Sequence, residues 1–109
     1  MPVEKWSDGV DLVHLADDPQ FTDDLECLDG QSKPKDIVLD FGGVHFINSS
    51  NISRLLKLRK RLVTNDRRLV LCNLSTQVWG ALLVTGLDKV FEIYATRDEA
   101  VSALGVPQG

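Results

Sequence analysis

Residues 36–56, DIVLDFGGVHFINSSNISRLL, contain two different hydrophobic patterns that are joined by a polar loop. The first part has three consecutive aliphatic residues, Ile37 to Leu39. A short, continuous apolar run of this kind predicts a strand that is buried on both faces, as in a parallel sheet. After Asn51, apolar residues recur at helical spacing. The stretch therefore predicts a strand over residues 36–41, a connecting loop and a long helix.

The connecting loop begins with Gly42 and Gly43, which predict a turn, and continues with a second short apolar run at residues 44–47. The predicted apolar face of the long helix consists of Ile52, Leu55, Leu56, Leu62 and Val63. Basic residues are predicted to occupy the rest of its surface, namely Arg54, Lys57, Lys60 and Arg61.

The segment before residue 36 predicts a hairpin and a helix. Residues 10–16 have a strand pattern, and residues 3–6 can pair with them across a turn at Asp8-Gly9. Asp18-Pro19 predicts a helix start, with Asp18 as the N-cap, and Gly30 predicts the end of that helix. Its predicted apolar face consists of Phe21, Leu25 and Leu28.

The segment after the long helix predicts two more strand–helix pairs. Residues 67–74 form a strand, Ser75 caps a helix that ends at Gly86, and residues 89–95 form the last strand. Thr96 and Glu99 predict a capping box for a short helix through residue 104. The predicted buried stripe of the helix after Ser75 consists of Val78, Trp79, Leu82 and Leu83.

The alternation of strands and helices predicts the fold class. We expect one α/β domain over residues 1–109, with an N-terminal strand or hairpin region at about residues 2–16. Its core is a central mixed, mostly parallel β-sheet of four to five strands, packed by about four α-helices.

Composition is that of a globular protein, with 43% hydrophobic and 26% charged residues. No apolar run approaches the roughly 20 residues that span a bilayer, and the N-terminus has no apolar core of the signal-peptide kind. We therefore expect a cytoplasmic protein without direct membrane insertion. Charge is divided unevenly: residues 1–48 have a net charge of −8 and residues 49–109 a net charge of +4. This division favours a polar protein–protein contact.

The two cysteines, Cys27 and Cys72, have no metal-ligand spacing, and we expect reduced thiols in the core. His14 and His45 belong to no recognisable catalytic triad, and there is no phosphate-binding glycine motif. The sequence thus predicts no enzyme, no cofactor and no metal site.

The basic residues between Lys57 and Arg61, followed by Arg67 and Arg68, are the feature that a nucleic-acid hypothesis would use. Leucines interrupt them and no aromatic residue lies among them for base stacking. A solvated helix face is therefore favoured, and no direct binding of nucleic acid is expected.

The polar loop places two hydroxyl groups at the mouth of the long helix. Asn48 is a strong N-cap candidate, so Ser49 and Ser50 occupy the first helical positions. Backbone donors there have no intrahelical partner, and a phosphate on Ser49 would be tolerated. Residue chemistry alone favours the simpler interpretation, in which the whole cluster is capping.

Two segments together resemble the STAS domain, the fold of bacterial anti-sigma factor antagonists. One is the apolar strand followed by GVHFINSS and a basic amphipathic helix, and the other is LVTGLDKVFEIY at residues 83–94. The resemblance covers residues 36–104 well and the first 30 residues only by element order.

The resemblance implies a function and a site. In that family, unphosphorylated antagonist binds an anti-sigma factor that is also a serine kinase, phosphorylation breaks the contact, and a phosphatase restores it. The implied phosphorylation site here is Ser49, with Ser50 as second choice. The implied partner-binding residues are Gly42, Gly43, Asn48, Ser49, Ser50, Asn51, Ser53, Arg54 and Lys57, and residues 73–75 are expected to border them.

Two positions depart from the family motif Asp-Ser-Ser-Gly, which here reads Asn48-Ser49-Ser50-Asn51. These departures keep a second interpretation open, a STAS interaction module without a switch. Such a module would be part of a signalling scaffold or a subunit of a membrane-transport complex. The oligomeric state, nucleotide binding and the identities of the sigma factor, kinase and phosphatase stay open.

Overall fold

Five strands lie in one sheet in chain order, in a computed structural model that describes residues 3–7 and 9–105. The strands are β1 (Val3–Ser7), β2 (Val10–Ala16), β3 (Asp36–Gly43), β4 (Leu69–Cys72) and β5 (Glu92–Tyr94). The helices are α1 (Gln20–Asp29), α2 (Ser49–Thr64), α3 (Thr76–Thr85) and α4 (Arg97–Ala103), and a 3₁₀ turn covers Leu87–Lys89.

The sheet is mixed and mostly parallel. β1 pairs antiparallel with β2, whereas β2, β3, β4 and β5 pair in parallel. This arrangement confirms the predicted α/β class, the strand number and the opening hairpin. Asp8, in the predicted turn of that hairpin, lies outside the described residues.

The helices lie in two layers. Leu25 of α1, Leu58 of α2 and Leu82 of α3 belong to one buried cluster, while Val101 of α4 belongs to a second cluster. Each parallel crossover between adjacent strands has the same hand, so α1, α2 and α3 share one face of the sheet and α4 covers the other. No helix in the described part of the chain is both long and apolar enough to span a bilayer.

β3 lies in the middle of the sheet and is buried on both faces, as its apolar run predicts. Ile37 and Leu39 belong to the cluster under α1, α2 and α3, while Val38 between them belongs to the cluster under α4. All three are fully buried. Alternation along a strand sends neighbouring side chains to opposite faces, so both layers require apolar residues here.

The predicted turn lies at the glycine pair, and β3 extends two residues beyond its predicted end at Phe41. β3 extends through Gly43, which pairs with Ala16, and the Val44 amide donates to the Phe41 carbonyl at 2.9 Å. A Cβ on Gly43 would lie 2.7 Å from the Leu15 carbonyl oxygen. The backbone of β2 approaches this closely only because residue 43 has no side chain. Residues 44–47, predicted as a second short apolar run, are not in a strand.

Two predicted helix faces are too wide. In α2 the buried residues are Asn51, Leu55, Leu58 and Leu62, whereas Leu56 and Val63 are exposed. Four residues of α3 were predicted to be buried. Val78 and Leu82 are buried, whereas Trp79 and Leu83 are exposed. Each helix contacts the sheet along one narrow stripe, so a residue adjacent in sequence to a buried one points about 100° away from it.

Helix ends follow the predicted capping residues with one shift. Ser75 accepts from the Val78 amide and Gly86 is left-handed with φ of 75°, as expected. Thr96 accepts from the Glu99 amide. α1 begins one residue later than predicted, because Pro19 is the N-cap, and Asp18 instead accepts from the Thr22 amide.

Two smaller expectations are wrong. Cys27 is exposed on α1 instead of lying in the core, although Cys72 is buried as expected. The last strand has three residues, Glu92–Tyr94, because the chain before it forms the 3₁₀ turn Leu87–Lys89.

Candidate functional site

The N-terminus of α2 is closed by a reciprocal pair of amides. The Asn48 Oδ1 accepts from the Asn51 backbone amide at 2.9 Å, and the Asn51 Oδ1 accepts from the Asn48 backbone amide at 3.0 Å. This is the geometry of a capping box, with asparagine at both positions. The pair thus provides acceptors for the backbone amides of Asn48 and Asn51, which lie on either side of Ser49 and Ser50 and have no acceptor within the helix.

Asn51 also connects α2 to the start of α1. Its Nδ2 donates to the Asp18 Oδ2 at 2.9 Å, and Asn51 is only 4% exposed. This bond is the largest cause that lowers the pKa of Asp18 below its usual 3.8, and the bond from the Thr22 hydroxyl is the next. A single buried amide therefore fixes the cap of α2 and a carboxylate at the entry of α1.

Ser49 and Ser50 are exposed in the first turn of α2. Their backbone amides have no acceptor within the helix, and the helix dipole places positive potential there. An open depression of about 410 Å³ lies beside them, lined by Ser49, Ser50, Ser53, Arg54 and Lys57. Five of the nine residues predicted for partner binding thus line one surface.

The two basic residues of this depression differ in their environment. The Arg54 Nη2 lies 2.8 Å from the Glu26 Oε1, so its charge is shared with α1. Lys57 is exposed one turn of helix further along. Lys57 is therefore better placed than Arg54 to meet a partner.

The loop before α2 is held by hydrogen bonds to a carboxylate just after β2. The Asp17 carboxylate accepts from the His45 backbone amide at 2.8 Å and contacts the His45 Nδ1 at 2.7 Å. These two bonds lower the pKa of Asp17. His45 therefore has a hydrogen-bonded structural role.

Phe46 is the functional candidate that the sequence analysis missed. Its position between His45 and Ile47 suggests part of an apolar run, yet it is 67% exposed while Val44 is buried. An exposed aromatic side chain three residues before Ser49 is a typical anchor for a protein contact. The sequence indicated this exposure in one way: Phe46 lies in a loop between β3 and α2, where no neighbouring strand covers an apolar side chain.

The remaining predicted residues lie at the same edge of the sheet. Asp40 accepts from the Gly42 amide at 2.8 Å and from the Asn73 Nδ2 at 3.1 Å, which links the ends of β3 and β4. Asn73, however, lines a second depression together with Thr96, the N-cap of α4, and the first residues of that helix. Whether residues 73–75 border the partner contact stays a prediction.

The basic face of α2 is only partly a solvated face. Arg61 donates to the backbone carbonyls of Leu28 and Gln31, which anchors α2 to the end of α1. Arg59 donates to the Val90 carbonyl at 3.2 Å on the other flank of α2. Two of the bases in the run are therefore structural, in contrast to the prediction.

The model of the STAS domain family matches residues 10–100 of this chain. The chain belongs to the STAS domain family. A Planctomyces limnophilus protein described as an anti-sigma-factor antagonist (STAS) domain protein is similar in structure, with 25% identity and a TM-score of 0.73. That match covers 88% of this chain and 91% of the other.

Two structures with lower sequence identity have the same STAS fold. One is a Thermotoga maritima protein described as a candidate anti-sigma factor antagonist, with 20% identity, a TM-score of 0.77 and coverage of 94% and 92%. The other is a sulfate transporter family protein from Wolinella succinogenes, with 18% identity, a TM-score of 0.75 and coverage of 89% and 85%. At these identities the likeness supports the STAS fold alone.

Proposed function

We propose that this STAS protein is an anti-sigma factor antagonist that is switched by phosphorylation of Ser49. In this proposal the unmodified chain binds a cytoplasmic anti-sigma factor with serine-kinase activity, and a phosphatase reverses the modification. Family membership and the similarity to the Planctomyces limnophilus protein support the partner class. The chain itself acts by binding and not by catalysis.

The observation that carries the proposal is the exposed Ser49 hydroxyl at the first position of α2. The Ser49 Oγ would form a bond to the γ-phosphorus of ATP held by the kinase, as the bond to the ADP oxygen breaks and the hydroxyl proton leaves to a base of the kinase. The product adds about −1.5 to −2 charges next to free helix donors. The Asn48–Asn51 box is unaffected, so the helix stays capped.

Loss of binding then follows without unfolding. The surface around Ser49 includes the exposed Phe46 and Lys57, which would be desolvated in a close contact. A doubly charged group in their midst adds a desolvation cost and repels acidic groups of the partner. The charge therefore acts at the interface and not on the fold.

The test uses a histidine-kinase-like ATPase that binds this chain, sought first among the products of the genes adjacent to its own. Incubation with that kinase and ATP should add one phosphoryl group to the intact mass of the wild type and of Ser50→Ala, and none to Ser49→Ala. Ser49→Ala should keep binding the kinase, and Ser49→Asp should bind about tenfold or more weakly. A mass gain that persists in Ser49→Ala and disappears in Ser50→Ala would move the site to Ser50.

A second candidate function is a STAS interaction module without a switch, in a signalling scaffold or a membrane-transport complex. The observation in its favour is the reciprocal bonding of Asn48 and Asn51, which accounts for both amides as caps with no need of a phosphate. No mass gain, together with equal affinity of Ser49→Ala and Ser49→Asp for a partner, would support this module and contradict the switch.

A further inference from the structure

The outer face of α2 continues beyond the depression at Ser49 as an exposed stripe. Its members, Ser49, Ser53, Leu56, Lys60 and Val63, are all exposed and recur at intervals of four and three residues. This is the spacing with which a helix packs along another helix. We call these five residues the α2 stripe.

The α2 stripe contains two aliphatic residues that the fold does not bury. Leu56 is 37% exposed and Val63 is 53% exposed, and they lie seven residues apart. The flanks of α2 are occupied, because Arg54 and Arg61 contact α1 and Arg59 contacts the Val90 carbonyl. The α2 stripe lies between these two flanks and faces outward.

A small cleft lies at the distal end of the α2 stripe. It has a volume of about 100 Å³. Its lining consists of the apolar residues Val63, Leu69 and Val90, the guanidinium groups of Arg59, Arg67 and Arg68, and the carboxylate of Glu92, which pairs with Arg68. Its size suits one side chain of a partner. The apolar lining next to guanidinium groups favours a residue that is itself aliphatic and has an acidic neighbour.

The charge of residues 56–68 indicates the charge of a partner that would bind them. Residues 56–68 contain six basic residues and one acidic residue, Asp66. Arg68 is neutralised by its ion pair with Glu92, whereas Lys60 and Arg67 are exposed. A surface of this kind attracts a negatively charged partner over the range of the Debye length and fixes its register.

We infer that the α2 stripe binds an acidic amphipathic helix of the partner protein. Aliphatic side chains of that helix lie over Leu56 and Val63, and its carboxylates face Lys60 and Arg67. Ser49 and Val63 are about 21 Å apart along α2, so the partner helix spans about four turns. A phosphate on Ser49 would then meet the acidic face of the same helix. The identity of the partner rests on the proposed function.

An acidic protein helix fits this surface better than nucleic acid does. Two aliphatic side chains at helix-packing spacing need an apolar partner, which a phosphate backbone does not offer. The α2 stripe contains no aromatic residue on which a base could stack.

The experiment compares matched pairs of single variants for binding to the kinase of the preceding test. Lys60→Glu is paired with Lys33→Glu, an equal charge change at an exposed lysine outside the α2 stripe. Val63→Ala is paired with Val84→Ala, an 89% exposed valine on α3. We expect Lys60→Glu to weaken binding about tenfold and to reduce its salt dependence, and Val63→Ala to weaken it about fivefold. Both controls should bind within about twofold of the wild type.

The outcomes separate this inference from the proposed function. Thermal unfolding of each variant shows that it is folded, and the mass gain at Ser49 shows that the kinase recognises the chain. If Ser49 is phosphorylated and Ser49→Asp binds weakly, but Lys60→Glu and Val63→Ala match their controls, the α2 stripe is not part of the contact. A wild-type chain that is neither phosphorylated nor bound by the kinase would instead contradict the proposed function. Tight binding of a DNA duplex that Lys60→Glu abolishes, with kinase binding unchanged, would assign the surface to nucleic acid.

Discussion

At the scale of single residues, Asn48 and Asn51 are best understood as one unit. Each replaces a different residue of the family motif, and separately they look like losses of a carboxylate and of a glycine. Together they form two hydrogen bonds of 2.9 and 3.0 Å, each from the backbone amide of one asparagine to the side-chain oxygen of the other, and these bonds close the first turn of α2. Asn51 additionally contacts Asp18, which no local pattern could show because the two lie 33 residues apart.

We expect the two asparagines to contribute unequally to stability. Asn48→Ala removes one cap acceptor and should lower the free energy of unfolding by about 1 kcal/mol. Asn51→Ala should cost more, about 1.5 kcal/mol, because it also removes the donor to Asp18, an exposed carboxylate that water can hydrate in its place. Urea unfolding followed by circular dichroism measures both values. Each alanine removes one acceptor and keeps the backbone donor of the other bond, so a loss below about 0.3 kcal/mol in either variant would contradict the reciprocal box.

The bond from Asn51 also makes the effect of Asn51→Ala depend on pH. The pKa of Asp18 is lowered in the folded state, so this carboxylate contributes stability that is complete above 3.8 and is lost as pH falls through the lowered value. The cost of Asn51→Ala should therefore be smaller near pH 2 than near pH 7. Asn48→Ala, which does not remove the bond to Asp18, is the control and should cost nearly the same at both. A cost of Asn51→Ala that does not change with pH would show that Asp18 is not its partner.

At the scale of elements, the ends of strands and helices matter more than their middles. β3 is recognisable from its aliphatic run, but its true end lies at Gly43, where the strand meets the backbone of β2. The sequence pattern predicts the helix α2 correctly, but it predicts the wrong residues for the buried face of that helix. Hydrophobicity identifies which residues can be buried, and only the position of the sheet decides which of them are.

Two glycine substitutions should have opposite effects on stability. Gly43→Ala places a Cβ 2.7 Å from the Leu15 carbonyl oxygen and should lower the free energy of unfolding by about 1–3 kcal/mol, because the two strands must separate. Gly80 lies inside α3 with nothing within 4 Å of an added Cβ, so Gly80→Ala should raise it by about 0.5–1 kcal/mol. Chemical unfolding of the two variants beside the wild type measures the difference. Equal effects would mean that the contact between Gly43 and Leu15 is not tight.

At the scale of the whole molecule, the two faces of the sheet are unlike. Three helices cover one face and the seven-residue α4 covers the other, where Cys72 is buried under α4. The charge division of the sequence also has a spatial form, because acidic α1 and basic α2 lie side by side and are joined by the ion pair of Glu26 and Arg54. The surface near Ser49 lies at this junction.

The two thiols should differ in reactivity because they lie at different depths. Cys27 is exposed, whereas burial and then the charge of Asp40 raise the pKa of Cys72 to about 12. A thiol reagent at about pH 8 should label Cys27 in the native protein and Cys72 only after unfolding. Mass spectrometry of the labelled peptides distinguishes them, and Cys27→Ser should show no labelling in the native state. Equal labelling of both in the folded protein would place Cys72 outside the core.

The sequence by itself determined the α/β class, the buried central strand, the caps at Asn48, Ser75 and Gly86, and the place of Ser49 at the mouth of a helix. These features depend on local periodicity and on backbone groups within a few residues, so the order of residues is enough to predict them. Only the tertiary structure decided that Gly43 lies against β2, that Asn51 holds Asp18, and that Phe46, Leu56 and Val63 face outward. Each of these depends on which distant segment lies opposite, and the sheet register and helix packing that bring such segments together are set by the whole chain.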